Sequence, residues 1–356
     1  MPGEADTQPT IRAAAIQAAA PFLDRAGGLA RACELIERAA GEHADLVVFP
    51  ESFLPGHPLW LHYWSANDRR SIAAYERLFA NALTVPGDEV DVLCAAARAH
   101  DVNVVIGVAE KRARTTGTIY NTQLFIGRDG ALLGKRQKLV PTVREKIVHA
   151  PGGGEGIDTF QMDFGRVGGL ICGENSNPLA TYALQALGEE VHAASWPPFM
   201  GFKRGGEVVD FVSRALAYSG HIHVVNAVGI IDDGFLALMG EAIADPAELR
   251  RRTGGSSIVD PAGRVIAGPL DAGQEGVLVA DLHLGLAVRA KLSHDFTGHY
   301  NRFDVFELRL RRTPRPALVI DGEDPEIDAR TQRPIVDDNR EHSRRLSVAP
   351  VQDSGT

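Results

Sequence analysis

The sequence predicts an α/β fold with mixed sheets, and two kinds of pattern indicate it. Short apolar runs alternate with segments whose apolar residues recur at helical spacing, as in β-α-β units. Hairpin signals interrupt this alternation, so antiparallel strands are expected beside parallel ones. The chain has 356 residues, 44% of them hydrophobic, which is enough to bury a large core. We therefore expect helices to cover at least one face of each sheet.

The N-terminal part begins with a β-α-β unit. Small residues in Ile11–Ala20 predict a strand, apolar residues at helical spacing over Leu29–Ala40 predict a helix, and Asp45–Pro50 predicts the next strand. A second helical stripe, Val90–Ala97, leads with no long loop into the apolar strand Val102–Glu110. The alternation of helix and strand therefore continues over the first 110 residues.

The remaining elements follow the same pattern, with two hairpins. Asp129-Gly130 is a turn signal between strands Tyr120–Gly127 and Ala131–Val140. A second hairpin is predicted within Ser256–Ala267. Between the two hairpins the sequence predicts a strand at Arg166–Cys172, a helix at Pro178–Leu187, a strand at Glu190–Pro197, a helix at Val208–Ser219 and a strand at Ile222–Ile230.

Charge and composition exclude several classes of function. The net charge is −9 and basic residues form no stripe, which argues against nucleic acid or an anionic membrane as partner. The chain shows no signal-peptide pattern, no apolar run of the roughly 18 residues that span a bilayer, and no Gly-rich phosphate loop. We expect a cytoplasmic protein that binds a small molecule, with its domain in residues 1–310 and a Pro- and charge-rich, flexible tail in 311–356.

The three cysteines act, if at all, as single thiols, because their spacing fits neither a disulfide framework nor a zinc site. Cys33 and Cys94 lie on the apolar stripes of helices and are assigned to the core. Cys172 ends a strand shortly before Asn177-Pro178, a pair typical of a helix N-cap and first turn. A helix N-terminus favours a thiolate, whereas the apolar neighbours are equally typical of a small buried residue. Both interpretations remain open from this segment alone.

Glu51 and Lys138 are the charged residues that complement such a thiol. Glu51 follows a buried strand at the sheet edge where α/β folds bind ligands, and partial burial would raise its pKa towards that of a general base. Lys138 lies at the end of a hairpin strand, where Leu139-Val140 favours its burial. Each is also compatible with a solvated surface position. Together, a base and a cation supply what a thiol needs to attack a C≡N or C=O carbon.

These residues lie in segments that resemble the nitrilase superfamily, whose Glu-Lys-Cys triad has this chain order. The Glu motif corresponds to LVVFPESFLPGHP, the Lys motif to GTIYNTQLFIGRDGALLGKRQKLVPTVREK, and the Cys motif to GGLICGENSNPLATYALQALGEEVHAASWP. DFTGHYNRFDVFEL, near the end, is similar to the GHY-x-R-x-DVF signature of the true nitrilase branch. The resemblance covers roughly Ile11 to Leu310.

The resemblance implies an αββα sandwich of four layers, with two mixed sheets between helices, that dimerises through its sheet and helix faces into a homo-oligomer. It implies hydrolysis of an organic nitrile to the carboxylic acid and ammonia, through a cysteine thioimidate and an acyl-thioester. Cys172 would be the nucleophile, Glu51 the general base and Lys138 the group that stabilises the tetrahedral species, with Glu145 as a second glutamate beside them. No metal or organic cofactor is implied.

The sequence departs from the family pattern at several positions around the expected substrate site. Gly173 stands where the branch usually has Trp, which predicts a roomier pocket beside the nucleophile. Other departures are His149 in place of Trp, and Ser219 where Glu is common, with His221 and His223 added. His299 matches the His of the GHY motif, near the active-site entrance or an assembly interface, and a structural role is equally compatible. The residues expected to bind substrate are His57, Trp60, Gly173, Glu174 and Trp196.

Three alternatives to a nitrilase remain at this point. An amidase or N-carbamoyl hydrolase would use the same triad on a C–N bond, and Gly173 favours it, whereas the GHY signature argues against it. A hydratase-like enzyme would release the amide instead of the acid. A non-catalytic assembly protein would keep the fold without the reaction, and the presence of all three triad residues argues against that class.

Overall fold

The computed structural model describes residues 8–113, 115–198 and 205–313, which form two six-stranded sheets with helices packed around them. The strands in this part of the chain are β1 (Thr10–Gln17), β2 (Leu46–Val48), β3 (Asn103–Lys111), β4 (Ile119–Ile126), β5 (Leu132–Gln137), β6 (Phe160–Met162), β7 (Gly165–Ile171), β8 (Val191–Trp196), β9 (His223–Val228), β10 (Ser257–Val259), β11 (Val265–Ala267) and β12 (Gly276–His283). The helices are α1 (Arg25–Gly41), α2 (Arg69–Asn81), α3 (Asp88–Ala99), α4 (Pro178–Ala186), α5 (Gly205–Gly220), α6 (Asp233–Met239), α7 (Pro246–Arg250) and α8 (Gly285–Lys291).

Both sheets are mixed, as the alternation and the hairpin signals predict. The first has the order β12-β1-β2-β3-β4-β5, in which β1, β2 and β3 are parallel and the other pairings are antiparallel. The second has the order β11-β10-β9-β8-β7-β6, with β7, β8 and β9 parallel at its centre. β2 and β7 each have a neighbouring strand on both sides, and the turns that follow these two strands carry Glu51 and Cys172.

The sheets pack face to face through one apolar cluster. Ala13 and Val105 of the first sheet and Val191, Ala193 and Val225 of the second belong to it, all of them buried. Small residues on both faces let the backbones approach closely, and the buried apolar area supplies most of the stabilisation between the sheets. This layer holds the strand ends that bear the candidate catalytic residues at fixed positions.

Helices complete the α/β sandwich that the family resemblance implies. α5 packs on the second sheet through a stripe that includes Val209, Leu216 and Ala217 against Val224 and Val228 of β9. α1 buries its own apolar stripe and packs beside α3. α4 begins as predicted, because Asn177 Oδ1 accepts hydrogen bonds from the backbone N–H groups of the first helical turn. Dimerisation stays a prediction.

Several elements of the fold are absent from the sequence prediction. One is α2, whose buried residues are Ser71, Ala74 and Leu78, with Tyr75 and Phe79 packed against the same core. β12 is only partly buried, and its antiparallel pairing with β1 joins residues more than 250 positions apart, which no local pattern reports. The short helices α6, α7 and α8 span five to seven residues each, too few for a periodic signal.

The predicted tail, residues 311–356, lies outside the described residues except for Arg311–Thr313, so the domain boundary at 310 stays a prediction. Those three residues are exposed. Within the described ranges, no helix combines the length and apolar character that crossing a bilayer requires.

Candidate active site

Glu51 lies in a tight turn after β2 and is fully buried. Its backbone N–H donates to the carbonyl of Trp196, at the end of β8 in the other sheet. Gly107 of β3 makes room for this turn, because a Cβ there would lie 2.4 Å from the Pro50 carbonyl oxygen. The carboxylate therefore sits where the two sheets meet at the carboxyl ends of their parallel strands, as the sequence predicts.

Lys138 bridges two buried carboxylates. Its Nζ lies 2.7 Å from Glu51 Oε1 and 2.7 Å from Glu145 Oε2. The residue follows β5, and its backbone N–H donates to the Asn121 carbonyl at 2.8 Å, which fixes the start of the side chain. The structure thus brings Glu51 together with Lys138 and Glu145, which lie more than 80 positions further along the chain.

Asn121 of β4 completes this cluster. Its Nδ2 donates to Glu51 Oε1 at 2.6 Å and to Glu145 Oε1 at 2.7 Å. Glu145 also lies 2.9 Å from His149 Nδ1 and accepts at 2.8 Å from the backbone N–H of Thr142. Glu145 is therefore held by four donors, whereas Glu51 Oε2 has no partner among the described residues.

The two carboxylates differ in pKa because their surroundings differ. Burial raises the pKa of Glu51 to about 7, and Lys138 opposes this shift while the negative charge of Glu145 adds to it. The pKa of Glu145 is held well below its usual range, because hydrogen bonding to His149 and the charge of Lys138 outweigh its burial. The ion pairs also raise the pKa of Lys138 against the opposing effect of burial. A proton taken up by this cluster therefore resides on Glu51.

Cys172 lies directly after β7, in a 3-10 turn over Cys172–Ser176 that precedes α4. Its backbone φ is +54°, a conformation that residues with a Cβ adopt rarely and that costs roughly 1–3 kcal/mol. The predicted helix N-terminus is Asn177, beyond this turn. The helix effect that favours a thiolate does not prevail here: burial, with the charge of Glu51, raises the pKa of the thiol further than Lys138 lowers it. The resting side chain is a thiol that requires a base.

Glu174, which the sequence analysis assigns to substrate binding, is instead bound to other parts of the protein. Arg136 donates to both of its carboxylate oxygens, at 2.7 and 3.0 Å. The backbone N–H groups of Leu139 and Ile171 donate at 2.7 and 3.1 Å. Because all four contacts are internal, this carboxylate ties the Lys138 segment to the Cys172 turn and has no lone pair left for a substrate.

The other predicted substrate residues divide into two groups. His57 lines a cavity of about 40 Å³ beside Glu51, and its Nδ1 lies 3.6 Å from Glu51 Oε1. Gly173 is exposed, and a Cβ there would have Thr142 Oγ1 at 3.8 Å as its nearest neighbour, so the space is open as predicted. Trp60 and Trp196 are instead buried in apolar clusters, and Trp196 Nε1 donates to Asn226 at 3.0 Å. Their positions are those of core residues.

The histidines singled out in the sequence lie in four different settings. Burial lowers the pKa of His57 to about 3, so this ring is neutral beside Glu51. His149 lies inside the cluster, against Glu145. His221 and His223 are buried, and burial lowers the pKa of each. His299 is exposed in the segment after α8.

Glu51, His57 and Glu145 are the only described residues grouped so that they could hold a metal ion, with ligand atoms within 4.8 Å of one another. The ammonium of Lys138 already lies between the two carboxylates and supplies the positive charge there. A divalent cation at this position would be repelled by that ammonium.

Sequence reasoning missed Asn121 and Arg136 as parts of the site. Asn121 begins a run of three polar residues, Asn121–Gln123, within a buried strand, which is the signal that could have identified it. Arg136 alternates onto the same face as Lys138, but its partner Glu174 lies 38 residues further along the chain. Such a pairing requires the fold.

Comparison with known proteins shows which family this chain resembles. The family model for the carbon-nitrogen hydrolases matches residues 12–291. A nitrilase from Paraburkholderia phymatum is 36% identical over 317 residues, which cover 88% of this chain and 89% of that protein. An aliphatic nitrilase from Rhodococcus rhodochrous is 35% identical, with 85% and 83% covered. The crystal structure of a carbon-nitrogen hydrolase from Helicobacter pylori has the same fold, with a TM-score of 0.62 at 19% identity over 80% of this chain and 93% of that one.

Proposed function

The chain belongs to the carbon-nitrogen hydrolase family, on its nitrilase branch, and we propose that it hydrolyses an organic nitrile with Cys172, Glu51 and Lys138 as its catalytic residues. The protein is therefore an enzyme that acts on carbon–nitrogen bonds. One observation carries the assignment of the site: Lys138 is buried between Glu51 and Glu145, and the charges of all three act on the Cys172 thiol.

The first half of the reaction forms a thioimidate. Glu51 Oε2, which lacks a partner among the described residues, accepts the Cys172 proton as Sγ attacks the nitrile carbon. One C≡N π bond breaks, and Lys138 stabilises the negative charge that develops on nitrogen. The proton held by Glu51 then passes to that nitrogen, which leaves a neutral thioimidate on Cys172 and restores the Glu51 carboxylate.

The second half consumes two waters. Glu51 takes a proton from the first water as its oxygen attacks the thioimidate carbon, and passes that proton to the nitrogen. The C–N bond then breaks as the hydroxyl proton of the tetrahedral species also moves to nitrogen, which releases ammonia and leaves an acyl-thioester. A second water gives a proton to Glu51 as it attacks the thioester carbon, the C–S bond breaks, and Glu51 returns that proton to the Cys172 sulfur. The products are the carboxylic acid, ammonia and the Cys172 thiol. Glu145 keeps Lys138 aimed at the reacting atoms throughout, because it accepts a hydrogen bond from that ammonium.

A panel of aliphatic, arylaliphatic and aromatic nitriles, each with its amide, tests this proposal through ammonia release and product identity. We expect release of acid and ammonia from at least one nitrile, with no activity in Cys172→Ala. Faster turnover of the matching amide would identify an amidase instead. An amide as the sole product would identify a hydratase-like enzyme.

A homo-oligomer and a cytoplasmic location stay predictions. The first is supported by apolar side chains in the C-terminal part of the domain, where Leu292 is 82% exposed and Phe306 70% exposed. Light scattering on a dilution series tests it, with a dimer or larger species expected at micromolar concentration. A monomer at every concentration would contradict it.

A further inference from the structure

Three buried polar side chains form a chain of hydrogen bonds that leads to the backbone of Cys172. None of the three takes part in the proposed reaction. They are Glu189 in the loop before β8, His192 on β8 and Asn175 in the turn that follows Cys172. His192 and Glu189 have fully buried side chains. A buried polar network requires satisfied partners, and this one ends on the backbone of the candidate nucleophile.

The contacts run without a gap from Glu189 to Cys172. Glu189 Oε1 lies 2.7 Å from His192 Nδ1, and His192 Nε2 lies 2.7 Å from Asn175 Oδ1. Asn175 Nδ2 donates to the Cys172 carbonyl oxygen at 2.8 Å. Each link has the length of a good hydrogen bond.

The orientation of Asn175 is fixed by these partners. With its amide turned over, Oδ1 would face the Cys172 carbonyl at about the same distance, so that two acceptors would oppose each other. Nε2 of His192 therefore carries a proton, which it donates to Asn175.

The fold leaves a specific space for Glu189. Gly168 of β7 pairs with His192 of β8, and a Cβ at Gly168 would lie 2.1 Å from Glu189 Oε1. The absence of a side chain at this position of β7 thus admits the carboxylate beneath the strand that ends at Cys172.

We propose that Glu189, His192 and Asn175 are positioning residues that hold the Cys172 carbonyl, and with it the nucleophile, in its strained conformation. The inference rests on the proposed function, since it takes Cys172 as the nucleophile. A residue with φ of +54° relaxes towards the right-handed region unless its neighbours hold it. Loosening the carbonyl swings Sγ away from Glu51 and Lys138, and a displacement of about 1 Å can cost on the order of 100-fold in rate.

The test compares two buried histidines on adjacent strands. His192→Asn breaks the chain of hydrogen bonds from Glu189 through His192 and Asn175 to Cys172, which we call the relay. His223→Asn removes a buried ring whose nitrogens have no partner in the described part of the chain. We expect His192→Asn to lower kcat and the rate of Cys172 alkylation by iodoacetamide about 10- to 100-fold, with KM changed less than about threefold. His223→Asn should keep both rates within about threefold of wild type.

Asn175→Asp is the second variant, and it decides the question if His192→Asn does not fold. It keeps the side-chain volume and an acceptor for His192, but it places an oxygen against the Cys172 carbonyl. The same losses in kcat and in alkylation rate are expected. The relay is overturned if folded His192→Asn or Asn175→Asp alkylates and turns over at the rates of His223→Asn.

Failure of the relay and failure of the proposed function give different results. If Cys172→Ala is active, Cys172 is not the nucleophile, whatever the results for the relay variants. An inactive Cys172→Ala enzyme combined with unaffected relay variants would remove only the positioning role.

Discussion

Lys138 Nζ lies 2.7 Å from Glu51 Oε1, and both side chains are almost completely buried. The second carboxylate on Lys138, that of Glu145, is held by more donors and keeps its charge, so Glu51 is the group of the cluster that exchanges a proton near neutral pH. This division assigns the base to Glu51 and a permanently charged, orienting role to Glu145. It also makes the site sensitive to pH through one residue.

The first prediction concerns that pH dependence. Glu51 accepts a proton only when ionised, and burial raises its pKa to about 7, so the active form is lost as pH falls through that value. With a nitrile that does not titrate, log kcat/KM should fall by about one per pH unit below pH 7 and level off above it. A profile that stays flat from about pH 5 to pH 8, with the fold intact by circular dichroism, would contradict this assignment.

The second prediction concerns stability. Lys138→Met leaves two buried carboxylates without their shared counter-ion, so the free energy of unfolding should fall by about 3–5 kcal/mol at pH 8, with loss of activity. Lys135→Met is the matched control, since Lys135 pairs with Glu110 at a partly exposed position where Thr122 and Gln137 also donate to that carboxylate. Urea unfolding should show a smaller loss for Lys135→Met. Equal losses would show that the buried cluster is not held by Lys138.

Most of the architecture follows from local patterns in the sequence. The strands that end before Glu51 and Cys172, and the helix that begins at Asn177-Pro178, lie within two residues of their predicted bounds. Apolar periodicity and capping residues are local signals, so they need no tertiary information. β12 has an apolar run too, but its place beside β1 depends on pairing across the whole domain.

The third prediction concerns Glu174, which the sequence placed among the substrate contacts. Its carboxylate is saturated by Arg136 and two backbone N–H groups, so Glu174→Gln should lower kcat and stability while leaving KM nearly unchanged. The lost ion pair should cost roughly 3–5 kcal/mol, because Arg136 remains buried without its partner. Steady-state kinetics and urea unfolding measure the two effects. A raised KM with unchanged kcat would instead support Glu174 as a residue that contacts the substrate.

The fourth prediction compares two glycines near the site. A Cβ on Gly107 would lie 2.6 Å from Ser52 N and even closer to the Pro50 carbonyl, so Gly107→Ala must shift the turn that carries Glu51. We expect a loss of about 1–3 kcal/mol and of most activity. Gly173→Ala meets only Thr142 Oγ1, at 3.8 Å, and should change stability by no more than about 0.5 kcal/mol. Thermal unfolding of both variants checks this, and the reverse order would contradict the geometry.

The electrostatics of the site required the structure. Sequence reasoning anticipated the raised pKa of Glu51, because a carboxylate after a buried strand is desolvated. At Cys172 a nearby helix favours a thiolate, but burial and then the charge of Glu51 raise the pKa of the thiol instead. The sign of a pKa shift depends on distances between residues remote in sequence, and these distances are set by the packing of the two sheets.

Mass spectrometry of rapidly quenched enzyme tests most directly whether Cys172 bonds covalently to the substrate carbon. During turnover of a nitrile, we expect an acyl or imidoyl adduct confined to the peptide that contains Cys172. Cys172→Ala should show neither the adduct nor ammonia release. Ammonia release by Cys172→Ala at the wild-type rate would contradict the account.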